Sequence, residues 1–409
     1  MKKIILLVFF SSSLFSQISS KKIENWISKN NELDGSVVSI AVKRIDKDKK
    51  IVGSGIDMNM TPASNVKILT VLGSIYYGDS IPIINYKVYN DTLKISPTGY
   101  PLLSHPKYED KDLGKFLKKF EHIEYHIPKI DIDKYGPGWA WDDYNNYYQA
   151  ERSEMPIYGN VIQAVKKSNG DIEITPDKYK IVLNFDQKKQ IHRSEIENNF
   201  SINPSLLKSG DTIYSPFITS RKNTISLLEN ALGKKVEFNK EELKDYHVLN
   251  SSQVDDIYFA ILKDSDNLIS ESIAANISLR LNDTISVDKG IKLIQNISKQ
   301  VELFDGSGLS RYNLVTPKSI ISSLHYIYKL IGFDRIKKIF PKNYIIQHEE
   351  DFVWGKTGTL KNNHNYSGYL ITDKNRIYIF SIMINHFTND LNKIKEVIVD
   401  FLIYLKSNS

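Results

Sequence analysis

Three groups of residues in this chain place a nucleophile, a base and hydrogen-bond donors at spacings that permit acyl transfer. The first is Ser64-Asn65-Val66-Lys67. Positions i and i+3 share a helix face. A lysine amine kept neutral there by burial or by a neighbouring cation can accept the serine proton. Ser64 stands near the expected start of a helix, where its own N–H lacks an intrahelical partner and can donate to an oxyanion. The second group is Lys356-Thr357-Gly358-Thr359, inside a β-rich run. On a strand Thr357 and Thr359 share one face, and their hydroxyls can hold a substrate carboxylate. Gly358 admits a substrate backbone, the N–H of Thr359 is a second oxyanion donor, and Lys356 adds positive charge. The third group is Asp305-Gly306-Ser307-Gly308-Leu309-Ser310-Arg311-Tyr312-Asn313, a glycine-marked loop between helices. Ser310 can relay a proton to a leaving amine, and Asn313 can bind a substrate carbonyl.

Composition narrows the chemistry to hydroxyl, carboxylate, amine or histidine. The 409 residues include no cysteine, which removes thiol nucleophiles, disulfides, thiolate zinc sites and iron–sulfur clusters together. A net charge of +6 with no arginine- or lysine-rich stripe argues against nucleic acid. Lys2 and Lys3, the apolar run 4–10 and the small residues 11–16 read as a secretory signal cleaved after about Ser16. A periplasmic protein held by its core alone is expected, with no membrane association beyond that signal. His122 and His126 alternate along a predicted strand, about 13 Å apart, which is too far for a metal pair. No metal or organic cofactor is required.

The elements that must position these groups follow from periodicity. Residues 21–29 predict a short helix, and 36–42 with 50–55 a hairpin. Thr61 as N-cap and Pro62 as first helical residue predict a helix reaching about Tyr77. Residues 78–246 look like a mostly β insertion, with strands at 81–89 and 179–185 and helices at 113–120 and 224–232. Helices follow at 252–281, 289–301 and 316–331. Two β-rich runs, 351–360 and 366–385, flank the turn 361–365. A last amphipathic helix, 389–405, is expected to pack on the sheet rather than on a membrane. The implied fold is α/β (α+β), with an antiparallel sheet assembled from both chain ends. Terminal helices would cover one face and middle helices the other. The catalytic domain would be discontinuous, 17–77 and 247–409, interrupted by the insertion 78–246.

The three groups, in this order, resemble the motifs of penicillin-binding proteins and serine β-lactamases. The resemblance is closest to D-alanyl-D-alanine carboxypeptidases of the penicillin-binding protein 4 type, peptidase family S13. Lys356 lies 292 positions after Ser64 and Ser310 lies 246 after it, room for that branch's large insertion. The string 305–313 is similar to the family's D-G-S-G-L-S-R-x-N, and Ser265-Asp266-Asn267-Leu268 with Glu271 to the helix segment preceding it. The resemblance implies a β-lactamase/transpeptidase-like domain with Ser64 as acylated nucleophile and Lys67 as base. Ser310, Asn313 and Lys356 would complete the proton network, with Asn313 three residues after Ser310 where the motif is usually S-x-N. Thr357 and Thr359 would hold the terminal carboxylate. Trp139-Ala140-Trp141-Asp142-Asp143 through Tyr147 looks like an aromatic, acidic strip reaching into the cleft, with Trp139, Asp142 and Tyr147 touching substrate. The implied partners are peptidoglycan stem peptides ending in D-Ala-D-Ala, and β-lactams as covalent inhibitors. A β-lactamase or esterase, or a non-catalytic peptidoglycan-binding scaffold, are the competing expectations.

Overall fold

The computed structural model describes residues 18–46, 50–343, 346 and 350–409. The expected signal, 1–16, lies outside the described residues.

A five-stranded antiparallel sheet joins the two chain ends. Its order is Val353–Leu360, Asn363–Ile371, Ile377–Asn385, Val37–Arg44 and Val52–Ser54. The run 366–385, read as one β segment, is the end of one strand and all of the next. They part at a turn where Asn375 takes φ +55°, a conformation asparagine tolerates. Tyr378, Phe380, Ile382 and Ile384 pack with Ile394, Ile398 and Phe401 of the Leu391–Asn408 helix and Ile23 of the Ser20–Ser28 helix. Ile379 and Met383 join the opposite core with Ile68 and Leu72 of the Val66–Tyr76 helix and Leu324 of the Pro317–Ile339 helix. Burial on both faces explains why this strand is apolar almost throughout. Each fully buried Leu, Ile or Phe of the last helix is worth about 1.5–3 kcal/mol, which fixes it on the sheet. Among the described residues no helix is long and apolar enough to cross a membrane.

The middle helices depart from expectation at places that matter to the site. The predicted 252–281 helix is broken. Val254–Phe259 runs into a π-helical turn, Ala260–Asp264, and Ser265 reverses the chain at φ +59°. The Asn267–Asn282 helix then starts afresh, capped by Asp266 Oδ1, which accepts from Ile269 N at 3.0 Å. Residues 289–301 split into the Val287–Ile297 helix and a strand, Val301–Glu302, paired with Leu314–Val315. Thr316 caps the next helix as its sequence suggests, with Ser319 reciprocating. Gly332, at φ +70°, interrupts that helix one residue past its predicted end.

The region expected as an insertion, 78–246, holds mostly β elements. A five-stranded sheet runs Glu237–Glu242, His122–Ile127, Thr92–Ser96, Pro82–Tyr89 and His247–Asn250. Its last strand reaches Asn250, past the expected boundary at 246. Two three-stranded sheets complete the region. The strand expected at 179–185 is confined to Ile181–Leu183, and the helix expected at 113–120 to Leu113–Leu117. His126 is buried with Nδ1 3.1 Å from the Glu241 carbonyl, and His122 is exposed. Among the described residues no group of three metal-ligating side chains occurs.

Candidate active site

Ser64 sits in a 3-10 turn, Ala63–Asn65, and the α-helix begins only at Val66. The expected Thr61 cap does not form, because the Thr61 backbone is claimed from the sheet. Its N–H donates to Asn385 Oδ1 at 2.7 Å, and its carbonyl accepts from Asn365 Nδ2 at 3.0 Å. Asn365 Nδ2 also reaches the Pro62 carbonyl, and Asn65 Nδ2 reaches the Lys356 carbonyl at 3.1 Å. Buried amides thus clamp the turn to the two strands that follow the K-T-G strand and to that strand itself. Ala63 is held at φ +48°, a left-handed conformation that costs a non-glycine residue about 1–3 kcal/mol.

Lys67 projects from the first turn of the helix and is fully buried. Its Nζ lies 3.2 Å from Ser64 Oγ, 2.7 Å from Asn267 Oδ1 and 2.6 Å from the Ser307 carbonyl. Burial lowers its pKa to about 8, against the opposing pull of Asp305, Glu271 and Asp266. Lys356 is buried as well and is pushed well below its ordinary range, first by desolvation and then by the charge of Lys67. The two amines share a low-polarity site that disfavours charge on both.

Lys356-Thr357-Gly358-Thr359 lies on Val353–Leu360, at the edge of the sheet. The outer edge of such a strand offers N–H groups that no neighbouring strand takes. Thr357 is half-buried and Thr359 exposed. Thr359 Oγ1 is 2.7 Å from Nδ1 of His364, directly opposite on the next strand. Desolvation first, then Lys395 and Lys356, lower the His364 pKa to about 4. Gly358 does not face an open cleft as expected. A Cβ there would stand 2.6 Å from the Pro62 carbonyl and 2.9 Å from Asn65 N, so its bareness admits the Ser64 turn.

The loop 305–313 closes on the same turn from the other side. A Cβ on Gly308 would fall 1.9 Å from the Ala63 carbonyl and 2.9 Å from Ser64 N. Ser310 and Asn313, expected in the proton network, spend their hydrogen bonds elsewhere. Ser310 Oγ donates to the Pro137 carbonyl at 2.6 Å, and Asn313 Nδ2 to Asp305 Oδ1 at 2.7 Å. Asp305 is the hub of the loop. It also accepts from Gly308 N, Ser310 N and Trp139 Nε1, the last at 2.9 Å. Trp139, expected against substrate, is therefore a tie between the insertion and this loop, and the Arg152 guanidinium stacks 4.9 Å from its ring. Arg152 in turn pairs with buried Glu271 at 2.7 Å. Asp142 and Tyr147 are exposed on the strip, as a substrate-facing role requires.

Asn267 is the residue that the motif reading passed over. Its Oδ1 accepts from Lys67, and its Nδ2 donates to the Tyr148 carbonyl at 2.7 Å, which pins the strip beside the amine. Its signal was present: Ser265-Asp266-Asn267 is a literal S-x-N at a helix start. The clamps Asn365 and Asn385 carried no local signal beyond being amides on strands. His364 and Arg152 carried no local signal.

A serine hydroxyl beside a buried amine, next to the edge strand that carries Lys356, has the parts that acyl transfer needs. The known proteins that the chain is similar to agree. It is 22% identical over 435 aligned positions to penicillin-sensitive carboxypeptidase A of Dictyostelium discoideum, covering 84% of this chain and 81% of that one. It is 23% identical over 426 to the D-alanyl-D-alanine carboxypeptidase DacB of Haemophilus influenzae, covering 88% and 87%. The crystal structure of penicillin-binding protein 4 from H. influenzae superposes with a TM-score of 0.69 at 19% identity, over 94% of this chain and 99% of that one. The model of the D-Ala-D-Ala carboxypeptidase 3 (S13) family matches residues 130–404; the chain belongs to that family and is a serine-type D-Ala-D-Ala carboxypeptidase.

Proposed function

We propose that Ser64 is acylated by peptidoglycan stem peptides ending in D-Ala-D-Ala, with Lys67 as its base. The observation that carries this reading is the placement of the Lys67 amine. A neutral amine has two protons and one lone pair. The Asn267 and Ser307 carbonyl oxygens take the protons, which turns the lone pair to Ser64 Oγ at 3.2 Å. Lys67 removes the hydroxyl proton as Oγ attacks the carbonyl between the two D-alanines. The oxyanion rests between the N–H groups of Ser64 and Thr359. The C–N bond breaks, the Lys67 proton passes to the leaving amine, and D-alanine departs. Water then hydrolyses the ester. Burial keeps Lys67 from holding its proton, and Thr357 and Thr359 receive the terminal carboxylate.

In this reading Asn267 takes the part first assigned to Asn313, and Ser310 and Asn313 hold the loop that supports Ser64. Asp142 and Tyr147 meet the stem peptide beyond the scissile bond, where an acidic side chain suits a diaminopimelate amine. β-Lactams acylate Ser64 because their ring presents an equivalent carbonyl. The basic, apolar and small residues of 1–16 support export to the periplasm. Residues 17–77 and 247–409 form the catalytic unit and 78–246 its insertion.

Fluorescent penicillin tests the assignment. Wild type is labelled, and it releases D-alanine from a pentapeptide. Ser64→Ala does neither; undiminished labelling of that variant overturns the reading. The acylation rate should rise with pH through about 8, as Lys67 loses its proton. A flat profile from pH 6 to 10 would remove Lys67 as the base.

A further inference from the structure

Beside the strip, a cavity of about 420 Å³ opens in the insertion. Trp139, Trp141 and Tyr144 form its aromatic wall, and Gln149, Arg193 and Glu195 are its polar groups. Its volume is that of a small-ligand site, apolar in the main with a few placed polar atoms. We propose that it is a glycan subsite, taking an N-acetylated hexosamine ring of the strand from which the stem peptide hangs. The proposal rests on the reading of the substrate as a peptidoglycan stem peptide.

Three observations converge on that ligand. Trp141 is 70% exposed, and its ring lies 5.7 Å from Tyr144 at 40°. The Arg193 guanidinium backs Tyr144 at 5.2 Å. An indole face so placed and so wet is a platform for the C–H face of a pyranose, whose C–H bonds point into the electron-rich ring face.

Buried polar atoms supply the second observation. Gln149 is 2% exposed and Arg193 1%. Gln149 donates through Nε2 to the Ala140 carbonyl, and its Oε1 has no partner. Arg193 donates through NH1 to the Ser194 carbonyl, and its Nε has none. Both atoms are closed to solvent, so a small side-chain movement must bring them to an N-acetyl group, which carries the complement, an N–H for Gln149 and a carbonyl for Arg193.

Charge is the third. Arg193 offsets Glu195, and Glu151, also in the wall, is already paired with Lys134 at 3.0 Å. With Lys134 behind it counted, the wall carries no net charge, which suits a sugar better than an anionic peptide. Glu195, exposed at the rim, is free to accept from sugar hydroxyls. The place is right as well. Trp139 closes the cavity on one side and bonds Asp305, whose loop touches Ser64.

The test titrates the full chain with chitotetraose, followed by tryptophan emission and calorimetry. Wild type should bind saturably with an emission shift, and Trp141→Ala should lose both signals. In kinetics Glu195→Ala should release D-alanine from a free pentapeptide at the wild-type rate. On the same pentapeptide joined to its disaccharide, its kcat/KM should fall about fivefold or more. No saturable binding in wild type, undiminished binding in Trp141→Ala, or an equal effect on both substrates overturns the subsite. So does saturation of the cavity by the sugar-free peptide. If wild type releases no D-alanine at all, the carboxypeptidase reading fails while the titration still decides the subsite.

Discussion

The sheet side and the loop side of the site reach Ser64 by opposite means. On the sheet side, neutral groups do the holding: paired backbone, a bare Gly358, and the amides of Asn65, Asn365 and Asn385. On the loop side, buried charges do it. Asp305 gathers donors from its own loop and from Trp139, while Glu271 accepts from Gly306 N and pairs with Arg152. Neutral clamps are worth about 1 kcal/mol per bond, whereas a buried charge stripped of its partner costs several. The loop wall should therefore be the brittle one.

Removing Arg152 is the hardest test of that contrast. Arg152→Met leaves the Glu271 carboxylate buried beneath the loop and should cost about 3–5 kcal/mol, read as a shift in the urea midpoint. Adding Glu271→Leu should recover most of the loss. A single-variant cost under about 1 kcal/mol would show that charge does not hold this wall.

A smaller effect sharpens the sheet side. His364 has a folded pKa of about 4 against 6.5 in free solution, so the unfolded chain takes up its proton first. Stability from this group is complete above about pH 6.5 and drains away as the pH falls toward 4. The total is about 3 kcal/mol at 1.36 kcal/mol per unit. His364→Phe should flatten the stability profile across that window, measured by urea midpoints at fixed pH.

The smallest expected effect belongs to an amide clamp. Asn365→Ala removes bonds to the Thr61 and Pro62 carbonyls and should cost about 1–2 kcal/mol. Penicillin labelling should slow while the fold persists. A loss equal to that of Arg152→Met would erase the contrast between the two sides.

The same division explains what the sequence disclosed. The sheet, its covering helices and the serine and lysine motifs were legible because period and spacing are local signals. The helix predicted from residue 316 starts where expected, at Pro317. Thr61 with Pro62 predicts another start that does not form, because Asn365 and Asn385, some 300 residues on, take the Thr61 backbone. Asn267 was written as S-x-N but stood inside a stretch whose apolar period ran on past the break at Ser265. Trp139 and Arg152 meet Asp305 and Glu271 only across the insertion, a pairing that no window of sequence contains.

Gly308 approaches the Ala63 carbonyl so closely that not even a methyl fits between them. Ser64's turn and the loop are thus one mechanical part, coupled backbone to backbone. Whatever moves the loop moves Ser64. The handles on that loop, Trp139 and Arg152, belong to the insertion. Substitutions at Trp139 or Arg152 should accordingly register at Ser64, although neither side chain touches the serine itself.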